Sequence, residues 1–309
     1  VTVSPSAPTT EESPWRDLLP GQRSELRIYD VTTGSDVLVY ETTSAVIEAP
    51  NWSVDGHWLV INRDGLLYRV STDGGEPELI ATGELDDSNN DHVLSADGAW
   101  IYASSQDGHI YEVAIEGGTP RRVTDPEDGI LMRYLHGISP DGAELAFIGA
   151  AELSGEVRYN IYTAQVSTGE VRALSALDAP HDGAEYHPSG ELIYFNSERA
   201  SVVAGHAQLF RMDRSGGTIE QLTDDERVNW FPHVSPDGLR LVYLSYPAGT
   251  AGHPANLPVE LRIATPDLEH ARTVVRLFGG QGTINVNSWA PDSTRFAYVA
   301  YPVAGSEDA

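Results

Sequence analysis

"PHVSPDGLRLVYLS", residues 232–245, decides the fold. Its centre, Ser-Pro-Asp-Gly, is turn chemistry. Proline presets φ, the aspartate side chain bonds nearby backbone, and glycine accepts the positive φ that completes the reversal. The unit recurs as "PNWSVDGHWLVIN" (50–62), "DHVLSADGAWIYAS" (91–104), "HGISPDGAELAFIG" (136–149), "EYHPSGELIYFNS" (185–197) and "NSWAPDSTRFAYVA" (287–300). The six copies centre on Trp52, Leu94, Ile138, Tyr186, Val234 and Trp289, 42 to 55 residues apart. A period of that size marks a solenoid, propeller or array.

Each copy reads as strand, tight turn, strand, with apolar–polar alternation after the turn. A third strand follows, as in "HIYEVAIEGG" and "QLFRMDRSGG", and a fourth, as in "PRRVTD". Four short antiparallel strands per unit, with no convincing long helix, predict an all-β fold, a six-bladed β-propeller. The sixth copy supplies only two strands before the acidic tail. "SELRIYDVTTG" and "DVLVYE", near the N-terminus, supply the missing two. The last blade is therefore expected to be closed by N- and C-terminal strands, which protects the edges of the ring. The expected organisation is a poorly ordered extension over 1–22, one propeller over 23–303 and an acidic tail over 304–309.

These units resemble the TolB-like family of β-propellers over essentially the whole chain. TolB itself carries an α/β domain ahead of its propeller, for which this chain has no room, so the likeness is to stand-alone propellers of the family. "NNDH", "NWFPHVSPDG", "LSYP", "GHP" and "LFGGQGTINV" look like family-specific segments. A more distant resemblance is to oligogalacturonate lyases, which place TolB-like repeats around a metal. The resemblance implies lyase or hydrolase chemistry on glycosides. The repeat alone specifies fold and is nearly silent on function.

Composition narrows the chemistry. There are 46 acidic and 19 basic residues, a net charge of −27, and every basic residue is arginine. Such a surface repels nucleic acid and anionic lipid, so neither is an expected partner. No apolar run approaches the roughly 18 residues of a membrane span. Without lysine or cysteine there is no Lys base, Schiff-base nucleophile, thiolate or disulfide. Read as a GTG start translated literally, Val1 makes the chain complete and cytoplasmic. A secreted or periplasmic chain with its signal removed is the alternative. No P-loop, GxSxG elbow or HExxH motif occurs. "GGQG" at 279–282 precedes no helix, so no nucleotide cofactor is expected.

In a propeller the segments leading into the innermost strands ring one mouth of the central channel, where loops on a rigid scaffold converge. Five are polar: "SNNDH", "MRYLHG", "HDGAEYH", "VNWFPH" and "GGQGTIN"; "VIEAPN" of the first blade is the exception. Aligned on the repeat, His92 and His136 share one position, Glu185 and His233 the next. Asn90, Tyr134, Asp182, Trp230 and Asn285 share a third, nearer the mouth, with Arg133, Asn229 and His181 one residue beyond. Asp91 and Gln281 belong to the same rim. The candidate catalytic residues are His92, His136, His233, Tyr134 and Glu185. With lysine absent, a histidine or Tyr134 would abstract a proton. His92, His136 and His233 are candidate ligands of a divalent metal, Mn, Zn, Ni or Fe. The competing reading is that these groups cap buried backbone or hold channel water.

The expected ligand is a small saccharide or sugar acid. Arg133 would bind a carboxylate, and Trp230 with Phe231 would offer a ring face. Asn90, Asp91, Asp182, Asn229, Gln281 and Asn285 would exchange hydrogen bonds. One long loop, "SYPAGTAGHPANLPVELR" (245–262), carries His253 and Arg262 as a partial lid. His206 lies in a shorter insertion that flanks it. Asp55, Asp97, Asp141, Asp237 and Asp292, with His57 and His187, read as structural turn residues. The rival reading of the same face is a non-catalytic propeller that senses a ligand or docks a protein partner.

Overall fold

The computed structural model describes residues 15–305 except 126 and 177–178. Among them are twenty-three strands and no α-helix. Five four-stranded antiparallel sheets and one three-stranded sheet form the blades. The innermost strands of blades 1 to 5 are Glu48–Trp52, Ser88–Leu94, Ile130–Ile138, His181–Tyr186 and Val228–Val234.

Blade 6 is the closure. Arg295–Ala300 pairs with Ser24–Asp30, register Leu26 to Val299 and Ile28 to Ala297, and Asp36–Thr42 lies outside it. Its innermost layer is irregular. Residues 283–290 bond to Arg295–Ala300 through Val299 N to Thr283 O (3.1 Å) and Ala297 N to Ser288 O (2.9 Å). Side chains take over backbone donors there: Asn285 Oδ1 accepts from Gly282 N and Asn287 Oδ1 from Trp289 N. Local side-chain acceptors of this kind compete with a regular ladder.

The repeated turn works as its residues predict. Ser53 Oγ donates to Asp55 Oδ1 (2.6 Å) and accepts from Trp58 N (2.9 Å), while Asp55 Oδ1 accepts from His57 N. Ser95 with Asp97, Ser139 with Asp141 and Ser235 with Asp237 repeat the pattern. In the fourth copy His187 Nδ1 bonds Ser189 Oγ instead (2.9 Å), and in the sixth Asp292 accepts from Thr294 N.

Six apolar clusters hold the ring, one between each pair of neighbouring blades. Between blades 2 and 3, for example, Val93, Tyr102 and Ile110 meet Leu135, Leu145 and Phe147. Polar locks supplement the packing near the channel. Asn62 Nδ2 donates to Ser88 O and Asn89 O of the next blade, Ser104 Oγ accepts from Leu135 N, and Asn196 Oδ1 accepts from Phe231 N. No helix of the described residues is long and apolar enough to cross a membrane.

Candidate functional site

Bulges aim side chains into the mouth. The ladders of the innermost strands slip between Glu48 and Asn51, Ser88 and His92, Asp182 and Glu185, and Trp230 and His233. Ala49 (φ 52°), Gly183 (φ 64°) and Phe231 (φ 54°) take positive φ at the same repeat position. A bulge there re-aims the preceding residue toward the channel. Glu48, Asn90, Tyr134, Asp182, Trp230 and Asn285, one equivalent residue per blade, all line a cavity of about 560 Å³. Five of these are read from the repeat. The sixth, Glu48, hides in the apolar-looking "VIEAPN".

The charged centre joins blades 2, 3 and 4. His136 Nε2 lies 2.8 Å from Asp182 Oδ1, and His136 Nδ1 donates to Asn285 O at 3.0 Å. Burial opposes charge on His136, but Asp182 and then Asp91 outweigh it and raise its pKa to about 9. At neutral pH it is an imidazolium. Asp182, despite its burial, is held below the usual carboxylate range by His136 and His253. Asp91 goes the other way. Burial, opposed by the His136 charge and joined by repulsion from Asp182 and Glu48, pushes its carboxyl up to about 7.

The loop 245–262 brings His253, but not Arg262, to the mouth. His253 Nδ1 bonds Gln281 Oε1 (2.6 Å), its Nε2 lies 3.5 Å from Asp182 Oδ2, and Gln281 Oε1 also accepts from Asn285 Nδ2. His253 packs on Trp230 with ring centroids 4.3 Å apart, and on Phe231 at 5.3 Å. The indole face foreseen as a sugar platform is thus covered on one side. The loop is anchored by Tyr246 Oη to Pro254 O and by Gly252 N to Gly205 O.

Residues 15–22, counted with the extension in the sequence reading, lie against the propeller, while 1–14 are outside the described residues. Gln22 bridges to Val303 and donates to Tyr301 O and Asn256 Oδ1. Trp15 and Arg16 reach the cavity. Arg16 donates to Glu48 Oε1 (3.0 Å) and Gln281 O (3.1 Å) and sits over the Tyr301 ring. Nothing in the repeat marks these two residues, because they precede it.

Several candidates lie away from the cavity. Arg133, wholly buried, donates to Gly108 O, Ile130 O, Asp125 O and Asp128, so it staples blade 2 to blade 3 and does not line the cavity. Asn229 is consumed by Gln208, Asp225 and Ser245. Arg262 stacks over Tyr243 and faces Asp225. His233 Nδ1 pairs with Glu185 Oε2 and its Nε2 with Ile284 O, both at 2.5 Å. Glu185 Oε1 accepts from Asn287 Nδ2 and Val234 N. That buried network ties blades 4, 5 and 6 together beneath the mouth. His92 is fully buried, 3.4 Å from Val60 O, and burial drives its pKa down to about 4. His206 bonds backbone of 225 and 227 and stays off the cavity.

No family model matches the sequence. An uncharacterised protein of Agrobacterium fabrum is 39% identical over 285 residues, 90% of this chain and 92% of its own. A TolB-like protein of Agrobacterium tumefaciens, known as a solved structure, is 38% identical with a TM-score of 0.84, over 91% of this chain and 99% of that one. The chain belongs to the TolB-like β-propeller family. TolB of Acinetobacter baumannii shares the TolB-like fold at 18% identity and a TM-score of 0.55, over 91% of this chain and 63% of that one. An oligogalacturonate lyase in complex with manganese shares it at 12% identity and a TM-score of 0.58, over 94% and 99%.

The metal expectation does not fit this TolB-like chain. Among the described residues no group of three or more His, Asp or Glu side chains is placed to hold an ion. His136 and His233 have both ring nitrogens engaged by protein oxygens, and His92 lies outside the cavity. A metal ligand needs a free lone pair aimed at a shared point. The base role of His136 falls with it, since an imidazolium has no lone pair to accept a proton.

What the TolB-like mouth does present is an arc of unspent polar groups on blades 2 to 4. The Asn90 amide and the Tyr134 hydroxyl line the cavity and make no side-chain hydrogen bond within the described residues, and the Asp91 carboxylate beside them, bonded by the Asn89 side chain, makes no direct ion pair there. Both ring nitrogens of His181 are buried there without a partner. Burial and Arg199 lower its pKa to about 4, so it is neutral, one nitrogen donating and one accepting. Asn196, engaged through Oδ1, keeps its Nδ2 for the cavity.

Proposed function

We propose that the mouth of this TolB-like propeller is a binding site for a small saccharide. One observation carries the reading: both ring nitrogens of His181 are buried without a partner in a cavity that Asn90, Asp91, Tyr134 and Asn196 also line. A buried polar group without a partner costs about 1 to 3 kcal/mol, so the two His181 nitrogens favour a ligand that satisfies them. The mix of donors, acceptors and neutral amphoteric groups matches hydroxyls, which both donate and accept. A volume near 560 Å³ is that of small-molecule sites. A sugar acid fits less well, because Arg16 and His136 are already held by Glu48 and Asp182.

Cleavage is the second reading, favoured by the opposite pKa displacements of Asp91 and Asp182. Asp91 would protonate the glycosidic oxygen as the C–O bond breaks, and Asp182 would accept a proton from the attacking water. Lyase chemistry is disfavoured: His136 has no lone pair, and burial raises the Tyr134 phenol, which weakens its supply of phenolate. A non-catalytic docking role is favoured only by exposed apolar residues on the rim, Leu131, Leu153, Val157 and Tyr159.

The test is a saccharide panel read by thermal shift, followed by product analysis with any sugar that binds. Stabilisation that Asn90→Ala and Asn196→Ala each weaken supports the site. A panel with no stabilising sugar sinks it. Bond cleavage abolished by Asp91→Asn would establish the second reading.

A further inference from the structure

We propose that the ligand of this cavity carries a positive charge, a protonated amine, with Asp91 as its counter-ion. An amino saccharide unites that charge with the hydroxyl-matching arc. The sugar half rests on the reading above, and the charge half stands on the ionic pairing inside the cavity.

Four carboxylates line the cavity: Glu48, Asp91, Asp182 and Glu198. Three have protein partners. Glu48 holds Arg16, Asp182 holds His136 and faces His253, and Glu198 Oε2 accepts from Gly205 N at 2.7 Å. Asp91 is only 4% exposed and makes no ion pair among the described residues. The nearby His136 imidazolium is already paired with Asp182, so this carboxylate is held at a cavity wall without a cation of its own, which is costly.

The remaining lining suits a cation. Trp15, Tyr134, Tyr159 and Trp230 bring aromatic rings to the same space, and ring faces attract ammonium groups. The −27 net charge draws cations toward the mouth and repels anions. A metal ion is the wrong cation, because among the described residues no three ligating side chains converge. The unpartnered His181 nitrogens show independently that this cavity is built to meet a ligand. An ammonium at Asp91 would favour its ionised form, so Asp91 serves recognition here and not proton donation.

The experiment is isothermal titration calorimetry at pH 7 on the full chain, with glucosamine, glucose, galacturonate and choline as probes. Glucosamine is expected to bind about tenfold or more tighter than glucose, and galacturonate weakest. Asp91→Asn should abolish the preference by weakening glucosamine far more than glucose, whereas Asn90→Ala should weaken the sugars alike. Glucose or galacturonate binding as tightly as glucosamine overturns the charge inference and keeps the saccharide reading. Choline bound with no sugar bound keeps the charge inference and overturns the saccharide one. No binding by any probe overturns both.

Discussion

His136 Nε2 and Asp182 Oδ1 meet at 2.8 Å across the boundary between blades 3 and 4, in an ion pair whose histidine is buried and whose carboxylate is 20% exposed. Because His136 Nδ1 also donates to Asn285 O, the same ring ties blade 3 to blade 6 across the channel. The pair is more than a fastening: it fixes which groups at the mouth can move protons.

Its titration is the first prediction. A histidine raised from 6.5 to about 9 contributes stability that is fully present below 6.5 and lost as pH rises through 9. Asp182, held low, contributes stability above 3.8 that is lost on acidification. Asp182→Asn should therefore drop the His136 pKa by more than one unit and remove the alkaline loss. Imidazole NMR titration reads it; a His136 pKa still near 9 in the variant would show that Asp182 is not the cause.

Asp91 gives the opposite sign. A carboxyl raised from 3.8 to about 7 costs nothing below 3.8, costs progressively more between the two values, and a constant amount above 7. Asp91→Asn should stabilise the protein at pH 8, by ~2 to 4 kcal/mol, and by much less at pH 4.5. The lower figure allows for the support that Asp91 gives His136. Urea unfolding at the two pH values checks this, and an equal gain at both would refute it.

The same residues show what could be read before any coordinates. The period of the repeat placed Asn90, Tyr134, Asp182, Trp230 and Asn285 on one ring, because a blade is a rigid unit whose equivalent positions superpose. It would have placed Glu48 there too, had position been trusted over the apolar look of its neighbours. Arg133, His92 and His233 misled because polarity near a mouth does not say which way a side chain points. A bulge or one step of strand alternation sends it into the wall between blades. That His136 is a cation depends on Asp182, a residue 46 positions away in sequence, and no local pattern carries that. Trp15 and Arg16 come from outside the repeat, so periodicity could not find them.

Arg16 is the next test. Removing it leaves Glu48 in a buried place that already raises its pKa. Arg16→Ala should cost about 2 to 4 kcal/mol, and Glu48→Gln in the same chain should recover much of that. A double-mutant cycle by chemical denaturation measures the coupling. Strict additivity of the two substitutions would mean that the strap over the mouth does not depend on this pair.

Gly137 tests the approach of blades 3 and 4. A Cβ there would meet Ala184 O at 2.8 Å and the Cα of Glu185 at 3.0 Å, both backbone atoms that cannot swing aside. Gly137→Ala should destabilise by about 1 to 3 kcal/mol through overpacking. Unchanged thermal stability would show that the innermost strands can spread at little cost.

Glu185 and His233 separate the mouth from its foundation. Their contact carries Asn287 and Val234 N on one side and Ile284 O on the other, so one buried network clamps the irregular inner layer of the closing blade. Neither residue lines the cavity. His233→Ala strands the Glu185 carboxylate in a dry place and should cost about 3 to 5 kcal/mol, as loss of one partner of a buried pair does. His233→Ala with Glu185→Gln should cost less than His233→Ala alone, because no unpaired charge remains. Ligand affinity per folded molecule should stay near wild type in both variants, whereas Asn90→Ala should lose affinity without losing stability. Calorimetric binding and denaturation on the same samples separate the two effects. Loss of affinity in His233→Ala at full folding would move this histidine from the foundation back into the site.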